Sequence, residues 1–461
     1  MLWLALVSGC GRQPVASVWV TTGDQRKLLS REPDVAFSTA DTTGLPTIAV
    51  ADTPSYQEMV GFGAALTDAS ALLINGLPPD RRDSLLRDLF DRDNGIGLSF
   101  TRLTIGASDF SPTHYTFDDM PPGQHDSSLL RFSIEPDRAH RLPVLRRALA
   151  INPELRIMAS PWSAPAWMKT SDKLIGGTLR PDAYGPFAEY LARYVDAYAA
   201  EGVPIFALTV QNEPHYEPGD YPGMRLEPPA RARLIAAYLG PRLARAGSRT
   251  LIFDWDHNWD QPQSPLQVLA DSVARRYVAG VAWHCYGGDV AAQGTVHDAY
   301  PAVDAYFTEC SGGDWAPKFA ENLLWGTQHL IIGATRNWAR GVLFWNLALD
   351  ENHGPHLGGC GNCRGVVTID SKSGAVTRND EYYVLAHASR FVRQGARRIA
   401  SSSGVAGLES VAFRNPDGSR VLIVVNTAAG EQRFAVRSAG KTLIYVLPAG
   451  AVATLRWLDR V

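Results

Sequence analysis

The chain is 461 residues long, 45% hydrophobic and 20% charged, and its 44 basic against 47 acidic side chains leave a formal charge of −3 at pH 7. No basic excess points to nucleic acid, and no apolar run is long enough for a spanning helix. Length alone suggests two or three domains, although a long barrel can form a single unit.

In chain order, Met1-Leu-Trp-Leu-Ala-Leu-Val-Ser-Gly-Cys10 ends as a bacterial lipobox does, with small residues before a cysteine. The positive start and longer apolar stretch of a complete export signal are missing. The expectation is an exported chain, lipidated on Cys10 and tethered to a membrane. Residues 17–50 contain Val18-Trp-Val20 and Thr47-Ile-Ala-Val50, strands that would join an all-β sandwich completed by residues 393–461. In the latter segment short strands follow one another at regular spacing, and Asn415-Pro-Asp-Gly418 signals a hairpin.

From residue 51 to 392 apolar runs alternate with amphipathic stretches. Strands are expected at 61–66, 97–104, 155–160, 205–210, 250–254, 278–283, 305–308 and 341–345. Helices are expected at 78–90, 181–200, 229–246 and 319–339; in the second, Tyr184, Phe187, Leu191, Tyr194, Val195 and Tyr198 recur at helical spacing. Eight such units predict a (β/α)8 TIM barrel of the α/β class, with the sandwich attached. Arg102, Asp109, Trp162, Asn212, Glu213, Asp254, His284, Tyr286, Glu309, Trp345 and Asn346 all fall at or just past C-terminal strand ends, the face on which such barrels build their sites. Two carboxylates converging there, Glu213 and Glu309, are what sugar-bond hydrolysis requires, one to protonate the leaving oxygen and one to attack or to activate water. The 12 tryptophans add flat faces suited to sugar rings.

Five cysteines leave four once Cys10 is assigned to lipid. Cys285 and Cys310 each follow an inward-facing residue and are expected as buried thiols beneath the helices. Cys360 and Cys363 lie in a glycine-rich loop behind His353 and His356. A disulfide, a thiol pair and a four-ligand zinc site are the readings open to that loop.

Gly61-Phe-Gly-Ala-Ala-Leu-Thr-Asp-Ala-Ser70, Ser108-Asp-Phe-Ser111, Ser160-Pro-Trp-Ser-Ala-Pro-Ala-Trp-Met168, Gln211-Asn-Glu-Pro214, Trp283-His-Cys-Tyr286, Thr308-Glu-Cys-Ser311 and Phe344-Trp-Asn-Leu-Ala-Leu-Asp350 resemble glycoside hydrolase family 30, the family of glucosylceramidase. The resemblance spans nearly the whole chain. It implies a retaining β-glycosidase acting on terminal β-glucosyl linkages, with Glu213 as general acid/base, Glu309 as nucleophile, and no metal or organic cofactor. Burial and the charge of Glu309 are expected to raise the Glu213 pKa and keep its proton in place. Asn212 would bond the sugar 2-hydroxyl, Arg102 and Tyr286 would hold Glu309 ionised, and Asp109, Trp162 and Trp345 would grip the nonreducing sugar. Asn346 is grouped with these substrate-binding residues, and His284 would orient a loop or line the leaving-group side. Asp68 and Trp167 are assigned to structure, Asp254 and Asp256 to supporting positions. The loop 353–364 departs from the lysosomal enzyme's pattern, which opens β-glucans and alkyl glucosides beside glucosyl-lipids as substrates. The alternatives are a β-1,6-glucanase or β-xylosidase of the same family and, in another class, a non-catalytic surface glycan-binding protein.

Overall fold

Eight strands, each feeding a connection that returns over the outside, close into a parallel barrel: β1 (Gly61–Ala65), β2 (Phe100–Ile105), β3 (Arg156–Pro161), β4 (Ala207–Thr209), β5 (Leu251–Asn258), β6 (Val278–His284), β7 (Asp304–Glu309) and β8 (Ala339–Asn346). The computed structural model describes residues 14–39 and 41–458, so Cys10 and its lipobox lie outside the described residues. All eight expected strands are present, β4 the most reduced.

Helix Tyr184–Ala200 buries Phe187, Leu191, Tyr194, Val195 and Tyr198, the face that its periodicity marks out. The expected helix at 229–246 runs from Pro228 to Arg245 with a π-helical stretch at Leu234–Leu239. Pro241 follows after Gly240; it lacks an N–H and its ring crowds the carbonyl four residues back, and the wider turn accommodates both. The helix at Phe319–Arg336 carries a second π stretch, Gly326–Gly333.

The barrel interior is layered. Phe100, Phe253 and Tyr306 pack ring against ring near its N-terminal end, with Met158 and Leu343 beside them. Above them the interior turns polar. Three strands carry an extra residue near their C-terminal ends: Asp256 in β5, Thr308 in β7 and Trp345 in β8. A bulge of this kind re-aims the side chains around it, and these bulges bring Asp256, Glu309 and Trp345 to the mouth.

The sandwich is one nine-stranded sheet folded over a core that includes Val18, Ile48, Leu422, Phe434 and Leu455. Val15–Thr21 pairs with Val452–Trp457, which joins the two ends of the chain. Leu408–Arg414 and Arg420–Asn426 form the hairpin signalled by Asn415-Pro-Asp-Gly418. The strand Thr47–Glu58 stays in this sheet past residue 50, pairing Ser55 with Ile399 and Glu58 with Arg397. Its polar stretch hides it in the sequence because Asp52 meets Arg420 and Gln57 meets Arg398. The barrel helix Asp380–Ser389 docks on the sandwich through His387, buried between the Thr21 and Thr454 hydroxyls; burial drives its pKa down to about 3, so it packs neutral.

Candidate active site

At the C-terminal mouth the polar residues are organised around Asp256, which is fully buried. Its Oδ2 accepts from Arg102 Nη2 (2.8 Å), Ser160 Oγ (2.5 Å) and Thr209 Oγ1 (2.9 Å). Its Oδ1 bonds Thr308 Oγ1 (2.7 Å) and His284 Nε2 (3.0 Å). Despite its burial, the charge of Arg102 and the bonds from His284 and Ser160 hold the carboxyl far below the usual carboxylate range. Asp254, two residues earlier, faces the other way and pairs with buried Arg231 (2.8 Å), outside the mouth.

Arg102 transmits this arrangement to the two glutamates. Its Nη1 bonds Glu309 Oε2, and its Nη2 also reaches Asn212 Oδ1 at 2.6 Å. The guanidinium lies 4.8 Å from the Trp162 ring centroid, and Trp162 stacks on Trp345 at 5.1 Å. The other Glu309 oxygen accepts from the Tyr286 hydroxyl at 3.0 Å. Glu213 has a left-handed backbone (φ 46°), uncommon outside glycine and frequent at functional sites. Its N–H donates to the Asp256 carbonyl (3.0 Å), and its Oε1 sits 3.2 Å from His284 Nδ1.

Asp109, Trp162, Asn212, Glu213, Tyr286, Glu309 and Trp345 line one cleft of about 480 Å³, within the range of small-molecule sites. Arg102, His284 and Asn346 do not line it. They are 0%, 0% and 1% exposed beneath the cleft floor, so they act on other side chains and not on sugar. His284 links Asp256 to Glu213, in place of the expected loop or leaving-group role. Asn346 accepts from Thr67 (2.7 Å), because the bulge at Trp345 gives the inward position to the indole. Asp68 and Trp167 serve structure as expected, bonding Ser111, Tyr115 and Arg141 in one case and Asp118 in the other.

The cysteines differ from expectation. Cys285 and Cys310 are a disulfide, with Cα atoms 5.4 Å apart. The β7 bulge sets Glu309 opposite His284, so the residues that follow them on adjacent strands meet. Cys360 and Cys363 are also disulfide-bonded, which removes the thiol and zinc readings. His353 bonds the Cys363 carbonyl and Asp314, and His356 the Gly358 carbonyl. This loop walls the cleft at Asp109. Gly359, at φ +68°, passes so close that a Cβ there would stand 2.4 Å from the Asp109 Cβ.

Protonation also differs from expectation. Burial opposes charge on His284, but Glu309 and the bonds to Asp256 and Glu213 outweigh it and hold the imidazole at about 9. Burial would raise Glu213, yet the His284 bond and the charges of His284 and Arg102 bring it below its ordinary value. Glu309 is displaced upward, chiefly by burial, against the pull of His284 and Arg102. The directions of these shifts favour the shared proton on the His284 side of its hydrogen bond to Glu213. His257, at the cleft edge, is kept neutral by burial, with its pKa drawn down to about 4.

Burial, reinforced by the charge of Glu309, lifts Asp109 from 3.8 to about 8. A carboxyl raised by folding adds stability that is complete below its unfolded pKa and disappears as pH climbs through the folded one. Wild type is therefore expected to lose stability relative to Asp109→Asn between about pH 4 and 8, by up to about 1.4 kcal/mol per pH unit. Denaturant unfolding of both proteins across that window measures it. Parallel stability curves would contradict the assignment.

Two family models match this architecture piece by piece. The glycosyl hydrolase family 30 TIM-barrel domain covers residues 59–392, and the glycosyl hydrolase family 30 beta sandwich domain covers residues 395–455. The chain belongs to glycoside hydrolase family 30. As a family 30 member it is a glycosidase, and the reading as a non-catalytic binding protein lapses. An endo-1,6-β-D-glucanase of Aspergillus fumigatus is 38% identical over 410 residues, 82% of this chain and 81% of that one. The lysosomal acid glucosylceramidase of Mus musculus is 32% identical over 402 residues, 81% of this chain and 76% of that one. The solved structure of an endo-β1,6-glucanase superposes with a TM-score of 0.91 at 32% identity, covering 96% of this chain and 99% of that one. Beyond the expected residues, the site of this family 30 enzyme uses Asp256 as its hub and adds His257, Tyr216, Asp220, Tyr221 and Trp315 to the cleft lining. The motif Asp254-Trp-Asp-His257 was the available signal; strand alternation alone does not say which aspartate faces inward.

Proposed function

We propose that this family 30 enzyme is a retaining, endo-acting β-1,6-glucanase. Glu309 attacks the anomeric carbon while Glu213 protonates the departing O6 of the next glucosyl unit. Water, deprotonated by Glu213, then releases the glycosyl-enzyme. Glu213 and Glu309 each approach His284 Nδ1, at 3.2 and 3.8 Å, so their Oε1 atoms are at most about 7 Å apart, which accommodates the roughly 5–5.5 Å of a retaining pair and excludes most of the roughly 6.5–9.5 Å range of inverting ones. A glucosyl ring that fills the cleft and excludes water disfavours charge on Glu213 and draws the His284 proton onto it. When Glu309 is glycosylated, its charge is lost and Glu213 returns to the basic form.

The observation that carries the β-1,6-glucan reading over the glucosylceramidase-like one is the 38% identity to endo-1,6-β-D-glucanases across four-fifths of both chains. The cleft supports it. Tyr216, Tyr286 and Trp315 stand 48%, 47% and 55% exposed along its rim, stacking faces for sugars beyond the cleaved bond. A linear β-1,6-glucan is expected to yield a ladder of oligosaccharides before glucose accumulates. Trp315→Ala is expected to raise KM for that polymer about tenfold, the scale of one lost aromatic contact, with a much smaller effect on an aryl β-glucoside. Chromatography of early products tests both. Glucose released alone from chain ends, or faster turnover of glucosylceramide than of glucan, would favour the glucosylceramidase-like reading.

We also infer export. The disulfides Cys285–Cys310 and Cys360–Cys363 favour an oxidising compartment. The membrane tether rests on the lipobox at Cys10.

A further inference from the structure

At and just beneath one edge of the cleft lie donors that the hydrolytic mechanism does not fully use. His284 Nδ1 and His257 Nδ1 approach the same oxygen, Glu213 Oε1, at 3.2 and 3.6 Å, and the three ligand atoms lie within 4.8 Å of one another. Donors bound tetrahedrally at about 2.0–2.1 Å stand roughly 3.4 Å apart, so two of the three edges already have the right length. His257 is 7% exposed, and its Nδ1 has no hydrogen-bond partner among the described residues. His284 is oriented from behind by Asp256, which holds its other nitrogen at 3.0 Å, the usual support of a metal-binding histidine. Glu213 and His257 both line the cleft, which leaves room for water as a fourth ligand.

We propose that Glu213, His257 and His284 form a site for a transition-metal cation of the zinc type, and that filling it switches the enzyme off. Two imidazoles and one carboxylate suit zinc or copper, whereas magnesium and calcium favour all-oxygen sets. The ion takes the Glu213 lone pair that must carry the catalytic proton, and the proton shared by His284 and Glu213 leaves to solvent. The binding half stands on geometry alone; the inhibition half rests on the proposed role of Glu213.

The test is calorimetric titration of the metal-stripped full chain with zinc chloride, beside inhibition of aryl β-glucoside hydrolysis. One zinc per chain is expected, with inhibition following the same saturation curve and magnesium giving neither heat nor inhibition. His257→Gln and, separately, Glu213→Gln are expected to weaken zinc binding by at least about tenfold, the loss seen even for a partner that only orients a ligand. Heat does not depend on turnover, so the inactive Glu213 variant is still readable. No zinc heat, or unchanged affinity in both variants, overturns the site; binding without inhibition overturns the switch. Saturable zinc binding weakened by the variants, in a protein inert on every β-glucoside, would sustain the site while the glucanase reading fails.

Discussion

Glu309→Ala is expected to lower kcat for an aryl β-glucoside on the order of 10⁵-fold, about 7 kcal/mol of transition-state stabilisation, because the proposed mechanism forms the glycosyl-enzyme on Glu309. The cavity left beside Arg102 Nη1 and the Tyr286 hydroxyl is a ready place for a small anion. Azide should occupy it, attack the anomeric carbon from the side Glu309 uses, and restore turnover with the α-glucosyl azide as product. Recovery of that azide assigns Glu309 as nucleophile. Wild-type activity in the variant would remove the assignment. A β-azide would place the nucleophile on the opposite face, at Glu213.

Asp256→Asn is the second large effect, and it comes from a residue that touches no sugar. The amide keeps the shape but removes the charge that faces Arg102 and His284, and it turns one acceptor into a donor aimed at donors. Breaking a buried pair by removing one partner typically costs about 3–5 kcal/mol, which thermal or denaturant unfolding would show. Turnover should fall on the order of 10³-fold as Arg102, Asn212 and His284 lose their common anchor. The pH profile separates this from simple loosening. Asp256 is one of the groups that hold the His284 proton at about 9. Without it that proton leaves more easily, and the alkaline limb of kcat/KM should move toward lower pH. An unmoved limb with reduced kcat would give Asp256 a purely structural role.

The barrel was legible because each strand is a short apolar run ended by polar residues, and the two glutamates were legible because each ends such a run. The bulges at Asp256, Thr308 and Trp345 were not, since an extra residue in a strand leaves no mark on composition. They account for most of what the sequence reading missed. Alternation could not choose between Asp254, which serves Arg231 outside the mouth, and Asp256, which organises the site. Nor could it set Glu309 opposite His284, the register that joins Cys285 to Cys310. Arg102 beside Glu309 is legible from its strand end, whereas the place of His284 beneath the cleft floor, linking Asp256 to Glu213, is not, because depth depends on tertiary packing. The Glu213 proton was misplaced for the same reason: the controlling neighbour, His284, is 71 residues away in sequence.

The central claim, double displacement on a β-1,6-glucan by Glu309 and Glu213, is tested most directly by proton NMR of the reducing end released in the first moments of hydrolysis. The β-anomer should appear first on gentio-oligosaccharides and only later equilibrate with the α-anomer. Initial release of the α-anomer would mean a single inversion, with Glu309 serving as base to water.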